Sequence, residues 1–582
     1  MQRIDYDSTS YSNLKNIRIL ISLLKKYGVK HIVLSPGGRN VPFVHSVEND
    51  KDFSCYSIVD ERSAAFFAIG MIQYLKEPVA ICCTSATAVC NYMSAVEEAF
   101  YQHLPLIVLT ADRNSYYLNQ DEDQMIPQTN IYRDVCKKEV TLPIVKDETD
   151  EWHCARLVNE ALSELNHDTA GPVHINFQVE KVGEGYSTEP LPNVTKIERV
   201  MCNSSDTLWS RMRTELREKR ILLIFGQQLY VSKELVELLN KFTEQFDCTI
   251  AADYLSNLHC DKMINTFTIS NTNSFESMNE LLPDIVITMG GNYVSEIRGW
   301  LKRNVGNFKH WKVSQRGDFA DQFRNLTCVF ECSAEHFLTQ MLITGQPSSK
   351  RSYFDKWKTA LEHVIIPDLP YSSMYAVSKF LPRIPANSKL HLANSNSVRI
   401  AQMFELDKSV EVFCNRGCNG IDGSLSAFVG QANIASEVCF LLVGDLSFFY
   451  DMNGLWNRYI NSNMRILLNN NEGAGIFHVS PGKKLLPTIN AYTAAEHNAS
   501  AEEWVKSRGF NYISSHTKVE FDKGLDVFVD PDTEGPIFFE VFTDKETDAK
   551  VMSDFYNESK RRNLFAGDKS TLIKGIFRRV SK

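Results

Sequence analysis

The sequence predicts an α/β fold built from three doubly wound parallel-sheet domains. Three observations carry that prediction. Short apolar runs alternate with segments of helical apolar spacing along the chain. Two polar stretches divide the alternation into blocks of ordinary domain size. Each apolar run ends in a cluster of small or polar residues, where a parallel sheet places its ligands. The global numbers agree with a folded chain: 582 residues, 43% hydrophobic and 23% charged. Lys plus Arg is 62 against 71 for Asp plus Glu, a net charge of −9. That balance gives no support for a nucleic-acid binder, which would show a basic stripe.

The first block, 1–187, opens with helical spacing over Asn16–Tyr27. His31–Ser35 (HIVLS) follows as a strand ending in Pro36-Gly37-Gly38. Ser54–Val59 is strand-like and Ser63–Leu75 helical. Val79–Cys83 (VAICC) is a strand, Asn91–Tyr101 a helix, and Leu106–Thr110 (LIVLT) a strand. Gly171–Phe177 reads as the last strand. Thr188–Asp206, rich in Pro, Asn and Ser, reads as a linker. The middle block, 207–342, carries strands at Arg220–Phe225 and Asp284–Met289, each followed by glycine. Ile343–Ser352 reads as a second linker. The third block, 353–582, holds strands at Glu437–Val443, Met464–Leu468 and Gly535–Val541. Continuous apolar runs of this kind suit parallel strands covered on both faces.

No stretch reaches the ~20 apolar residues that span a bilayer, and the first residues show no signal-peptide core. A cytoplasmic protein is expected, with no membrane span. The 14 cysteines are spread along the chain without a paired CxxC, so buried free thiols are expected rather than a zinc site. No loop after a strand is GxGxxG or GxxxxGK[ST], which leaves nicotinamide-dinucleotide enzymes and P-loop NTPases unsupported.

The third block carries the most specific local signal. Gly444-Asp445-Leu446 closes one apolar strand, and Asn471 follows the next within Asn469-Asn470-Asn471-Glu472-Gly473. Oxygen ligands from adjacent strand ends suit octahedral Mg²⁺ beside a diphosphate. The pair resembles the thiamine-diphosphate (ThDP) binding motif, with Leu446 where the motif usually has Gly. In the first block Asp60-Glu61-Arg62 precedes a helix. The run DERSAAFFAIG resembles the pyrimidine-binding segment of ThDP enzymes, whose Glu hydrogen-bonds the aminopyrimidine.

A larger set of segments sharpens the resemblance. SPGGRN, DERSAAFFAIG, CTSATA, PLIVLTADR and GPVHIN occur in order in the first block. ANSNSVR, NRGCNGIDG, GDLSFFYDMNGL and NNNEGAGIF occur in order in the third. Together they resemble the 2-succinyl-5-enolpyruvyl-6-hydroxy-3-cyclohexene-1-carboxylate (SEPHCHC) synthase family of menaquinone biosynthesis. The match covers both outer blocks, and the middle block fits weakly.

The resemblance implies three domains of the ThDP-enzyme type: pyrimidine-binding, central and diphosphate-binding. It implies a decarboxylating carboligation that adds the succinyl unit of 2-oxoglutarate to isochorismate. The cofactors implied are ThDP and Mg²⁺, with Mn²⁺ as a substitute. Glu61 would activate the cofactor. Asp445, Asn471 and the Gly473 carbonyl would hold the metal, with Leu446 beside them, and Ile421 would keep ThDP bent. Arg399 and Arg416, with Ser395, would bind the 2-oxo acid. Arg39, Arg113 and Gln128 would face the acceptor, and Phe477 would line the cleft. Arginine suits both substrates, because it binds carboxylates bidentately and stays charged. A homodimer or homotetramer with sites between chains is also implied.

Four departures bear on the acceptor. Gly38 stands where the family has Ser before the Arg, and Ala86 where it has Gly. Glu296 falls near an expected Lys, with Arg298 as a possible replacement cation. The loop Asp121–Tyr132 (DEDQMIPQTNIY) is acidic ahead of Gln128. A related carboligase with another acceptor, simple 2-oxo acid decarboxylation, and an inactive ThDP-fold scaffold therefore stand as alternatives.

Overall fold

The computed structural model describes residues 9–183, 185–343, 347–349, 351–364, 366–479 and 488–560. The end of the third block, 561–582, and residues 344–346 and 350 of the second linker lie outside the described residues, as do residues 1–8. The chain forms two compact units. One runs through Arg199 and takes in Asp318–Ala320 and Leu326–Val329. The other holds Val200–Gly317, Asp321–Asn325 and the chain from Phe330 onward.

The first unit contains a six-stranded parallel sheet. Its spatial order is Ser54–Ser57, His31–Leu34, Val79–Cys83, Leu106–Asp112, Val173–Gln178 and Lys138–Leu142. In chain order of its own strands that is 2-1-3-4-6-5. The strand Val79–Cys83 shows why the apolar run was legible. Ala80 and Cys82 join one buried cluster with Leu20 and Val158, while Val79, Ile81 and Cys83 join another with Ala64 and Val96. Alternate side chains point to opposite faces, and helices cover both.

Two further sheets of six or more strands follow. One has the order Met263–Ile264, Asp247–Ala252, Arg220–Phe225, Ile285–Met289, Lys309–Val313 and Leu326–Glu331, with Glu198–Met201 at its edge. That edge strand corrects the reading of Thr188–Asp206 as an uninterrupted linker. A four-residue strand with one fully buried side chain, Val200, has too little apolar pattern to register in sequence. The other sheet runs Glu411–Phe413, Lys389–Leu392, Cys439–Gly444, Met464–Asn470, Ile537–Phe542 and Asn511–Ser515, all parallel. In its own chain order this is again 2-1-3-4-6-5.

In each of these two six-stranded sheets the winding reverses between the first and third strands. A crevice opens at such a point, beyond the C-terminal strand ends. The helix read over Asn91–Tyr101 is two helices, Thr87–Asn91 and Met93–Tyr101, meeting at Tyr92. No described helix is long and apolar enough to cross a membrane.

Candidate active site

In the second unit, a cavity opens at the reversal point of the sheet from Lys389 to Phe542. It is lined by Ser395, Ile421, Asp445, Leu446, Asn471, Gly473 and Phe477. All seven were singled out from the sequence. They come from four loops: after Lys389–Leu392, before the helix Ser424–Ile434, after Cys439–Gly444, and after Met464–Asn470.

Asp445 begins a short helix directly after its strand. Its Oδ1 accepts the Leu446 N–H (2.6 Å), and its Oδ2 accepts the N–H groups of Asn471 (3.1 Å) and Gly473 (2.9 Å). The two strand ends are thereby tied together. His497 Nδ1 accepts the Ala499 N–H at 3.1 Å, so the proton of the neutral ring sits on Nε2, which stands 3.4 Å from Asp445 Oδ2. That carboxylate raises the imidazole pKa above its ordinary value.

Adjacent asparagines have opposite jobs. Asn470 is fully buried, and its Nδ2 donates to Glu540 Oε1 (2.7 Å) and to the Ala499 carbonyl (2.9 Å). Asn471 faces the cavity, and its Nδ2 donates to Asp548 Oδ2 at 2.9 Å. A Cβ on Gly475 would come within 2.9 Å of that Nδ2, so glycine there keeps room for the amide. Asp548, His497 and Glu540 were missed by sequence reasoning. Asp548 lies 77 positions from Asn471, on another element, and no local spacing links them.

The donors fit the groups expected of them. Asp445, Asn471 and Gly473, which offer a carboxylate, an amide oxygen and a peptide carbonyl, line one cavity, and such all-oxygen sets suit Mg²⁺ with waters and phosphate oxygens completing the shell. Asn469 also lines the cavity, and its buried Oδ1 has no hydrogen-bond partner among the described residues. Among the described residues no group of three His, Cys, Asp or Glu side chains could hold a metal.

Arg399 and Arg416 brace the rim of the cavity. Arg399 Nη1 donates to the Ser395 carbonyl (2.7 Å), and Arg416 Nη1 to Asn394 Oδ1 (3.0 Å). Ser395 caps the helix Asn396–Ala401 at φ 70°, ψ −127°, backbone that an L-residue rarely adopts. Burial, then the Arg399 charge, lower the Arg416 pKa. The sheet beginning at Arg220 supports this rim. Gln227 Nε2 donates to the Cys414 carbonyl (2.8 Å), and Asn292 Nδ2 to the Arg416 carbonyl (2.7 Å). Asp253, at the end of Asp247–Ala252, accepts the N–H groups of Val294 and Leu255. Burial pushes its carboxyl up to about 6, opposed by those bonds and by Arg416. Of the departures here, Glu296 is exposed, whereas the Arg298 guanidinium lies over the Tyr293 ring (4.9 Å) and adds positive charge near Arg416.

The first unit holds the remaining residues. Glu61 opens the helix Glu61–Leu75 behind its N-cap Asp60, where the helix end favours negative charge. Its Oε2 accepts from Asn91 Nδ2 at 3.1 Å. Arg39 and Arg113 sit close enough that each guanidinium opposes the other's charge; burial and Arg113 lower the Arg39 pKa. Arg113 also pairs with Glu122 of the acidic loop at 3.1 Å. Gln128 is buried. It accepts the Ala86 N–H (2.8 Å) and donates to Asn176 Oδ1 (2.9 Å) and the Ala111 carbonyl (3.3 Å).

Ala86 has φ 67°, ψ −126°, so the expected glycine is replaced where glycine conformation is used. At Gly38 the finding is the reverse. A Cβ there meets nothing within 4 Å, while one on Gly37 would strike Thr84 Cβ at 2.4 Å. Crowding dictates Gly37 but not the loss of a serine at 38.

Comparison with known proteins agrees with this geometry. Residues 15–131 match the thiamine pyrophosphate enzyme family's N-terminal TPP binding domain. The chain is 39% identical over 563 residues to a Bacteroides fragilis protein named SEPHCHC synthase, covering 94% of this chain and all of that one. It is 39% identical over 569 residues to the enzyme of that name from Phocaeicola vulgatus (95% and 100% covered), and 33% over 566 residues to that from Flavobacterium psychrophilum (94% and 99%). Full-length similarity of this extent places the chain in the SEPHCHC synthase family of thiamine-diphosphate-dependent transferases.

Proposed function

We propose that this enzyme decarboxylates 2-oxoglutarate and adds the resulting succinyl unit to isochorismate, with Mg²⁺ held by Asp445, Asn471 and the Gly473 carbonyl. The observation that carries the reading is the bracing of Arg399 and Arg416 on the Asn394-Ser395 turn, which itself lines the cavity. When bound, ThDP supplies the nucleophilic carbon and electron sink that decarboxylation of a 2-oxo acid needs. Arg399 and Arg416 offer two fixed cations to a dicarboxylate, and Ser395 a hydroxyl. Ile421 and Phe477 are apolar walls that exclude water from the reacting carbon. Glu61 would hold a proton at the aminopyrimidine of the bound cofactor. Arg39 and Arg113 face the acceptor, and Gln128 fixes the Ala86 turn beside them. Residues 1–187, 207–342 and 353–582 are the three domains of this reading. The working form is a cytoplasmic homodimer or homotetramer, in which Glu61 of one protomer serves the cavity of another.

The test follows CO₂ release from a panel of 2-oxo acids with ThDP and Mg²⁺, with and without isochorismate. Release from 2-oxoglutarate that requires isochorismate is the expected result, and no consumption of isochorismate sinks the proposal. A second reading, a carboligase with another acceptor, is favoured by the Arg113–Glu122 ion pair, which partly neutralises an acceptor-side cation. Turnover of the 2-oxo acid without isochorismate would select it.

A further inference from the structure

The helix Lys545–Lys560 carries a carboxylate, Asp548, in its first turn. Asp548 is buried and lines the cavity. Four donors surround it. Oδ1 accepts the Ser373 N–H (2.7 Å); Oδ2 accepts the Ser373 hydroxyl, the Thr543 hydroxyl (2.8 Å) and Asn471 Nδ2 (2.9 Å). In all four contacts the carboxylate oxygens accept, and two of the partners, the Ser373 N–H and the Asn471 Nδ2, can only donate.

That asymmetry decides which way the Asn471 amide faces. An amide can present nitrogen or oxygen in the same space, and rotation by half a turn exchanges them. Against an acceptor-only neighbour, the NH₂ must turn to Asp548, which leaves Oδ1 on the opposite side. Only the oxygen can ligate a cation. The Thr543 N–H donates to the Asn470 carbonyl (2.9 Å), which ties the segment ahead of the helix to the strand bearing Asn471.

We propose that Asp548 is a positioning residue that locks the Asn471 amide with its oxygen toward the cation site, through the Asn471 Nδ2–Asp548 Oδ2 hydrogen bond. The inference rests on the assignment of Asn471 as a metal ligand. Outer partners of metal ligands commonly set affinity by about 10–100-fold.

The test measures Mn²⁺ affinity in the presence of ThDP from the electron paramagnetic resonance signal of free Mn²⁺, with melting temperature recorded alongside. Asp548→Ala should weaken Mn²⁺ binding by about 10–100-fold. Asn471→Ala should weaken it similarly, and adding Asp548→Ala to that variant should cost no further affinity. The exchanged pair Asn471→Asp with Asp548→Asn reverses donor and acceptor across the same bond. It should return affinity to within a few-fold of the parent. This pair also answers the question if Asp548→Ala alone does not fold. Unchanged Mn²⁺ affinity in Asp548→Ala with a lowered melting temperature would overturn the proposal. So would an exchanged pair that melts normally yet binds as weakly as Asp548→Ala. Failure of the parent enzyme to bind Mn²⁺ with ThDP would overturn the ligand assignment itself, and this inference with it.

Discussion

The six-stranded sheets beginning at His31 and at Lys389 share one winding, yet the residues that follow their strands differ in chemistry. Each has loops after its first, third and fourth strands. In the first unit those loops carry Arg39, Ala86 and Arg113; in the second they carry Ser395, Asp445 and Asn471. Two of the first three are arginines, whereas the second three all carry side-chain oxygens. Both contain a non-glycine residue near φ 70°, ψ −127°, but at different strands: Ala86 after the third, Ser395 after the first. The winding fixes where function can sit, and the loop residues decide what it is.

The largest test of that contrast separates activation from holding. Glu61→Gln should lower turnover by about 10³-fold, within the range for a group that manages a proton. Equilibrium dialysis should still find Mg²⁺-dependent ThDP binding. Asp445→Ala should lose that binding outright. If the two variants exchanged phenotypes, the division of labour between the crevices would be reversed.

A smaller effect separates the arginines. Arg399→Ala should raise KM for the 2-oxo acid about 10–100-fold, as expected for losing a charged hydrogen bond, and leave the acceptor KM nearly unchanged. Arg113→Ala should do the opposite. Steady-state kinetics with each substrate varied in turn reads both, and equal effects on both substrates would erase the contrast.

The two turns differ in how they are buttressed. Ala86 relies on the Gln128 side chain, so Gln128→Ala strands a buried N–H and should cost about 1–3 kcal/mol of stability in urea unfolding. The smallest change is relief of strain. Ala86→Gly should stabilise by up to about 1 kcal/mol, because glycine adopts that backbone freely, less the entropy it adds to the unfolded chain. A destabilised Ala86→Gly would mean that the turn is not strained. Ser395→Gly should also gain stability while losing a hydroxyl from the cavity.

The fold was legible where both faces of a strand are buried. VAICC and LIVLT are apolar throughout, and each places side chains into helix-covered layers on both sides. Two edge strands were not. Lys138–Leu142 (KEVTL) and Asn511–Ser515 (NYISS) are mixed in polarity, because an edge buries less and its pairing is decided by distant chain. The site followed the same division. Asp445 and Asn471 announced themselves by position after strands. Nothing in Asn469-Asn470-Asn471 told which amide faces the cavity, since Glu540 and Asp548 make that choice from a separate strand and helix. Ala86 shows the converse: its replacement of glycine was visible, but the positive φ that gives it meaning was not.

The sheet beginning at Arg220 holds the carbonyls of Cys414 and Arg416 through Gln227 and Asn292, and none of the residues assigned to the cofactor lies in it. This separation has an evolutionary consequence. With Arg416 as a substrate ligand, a change at Gln227 or Asn292 re-aims one guanidinium while the metal shell stays whole. Altered substrate preference is then one mutational step away from an enzyme that still retains its coenzyme.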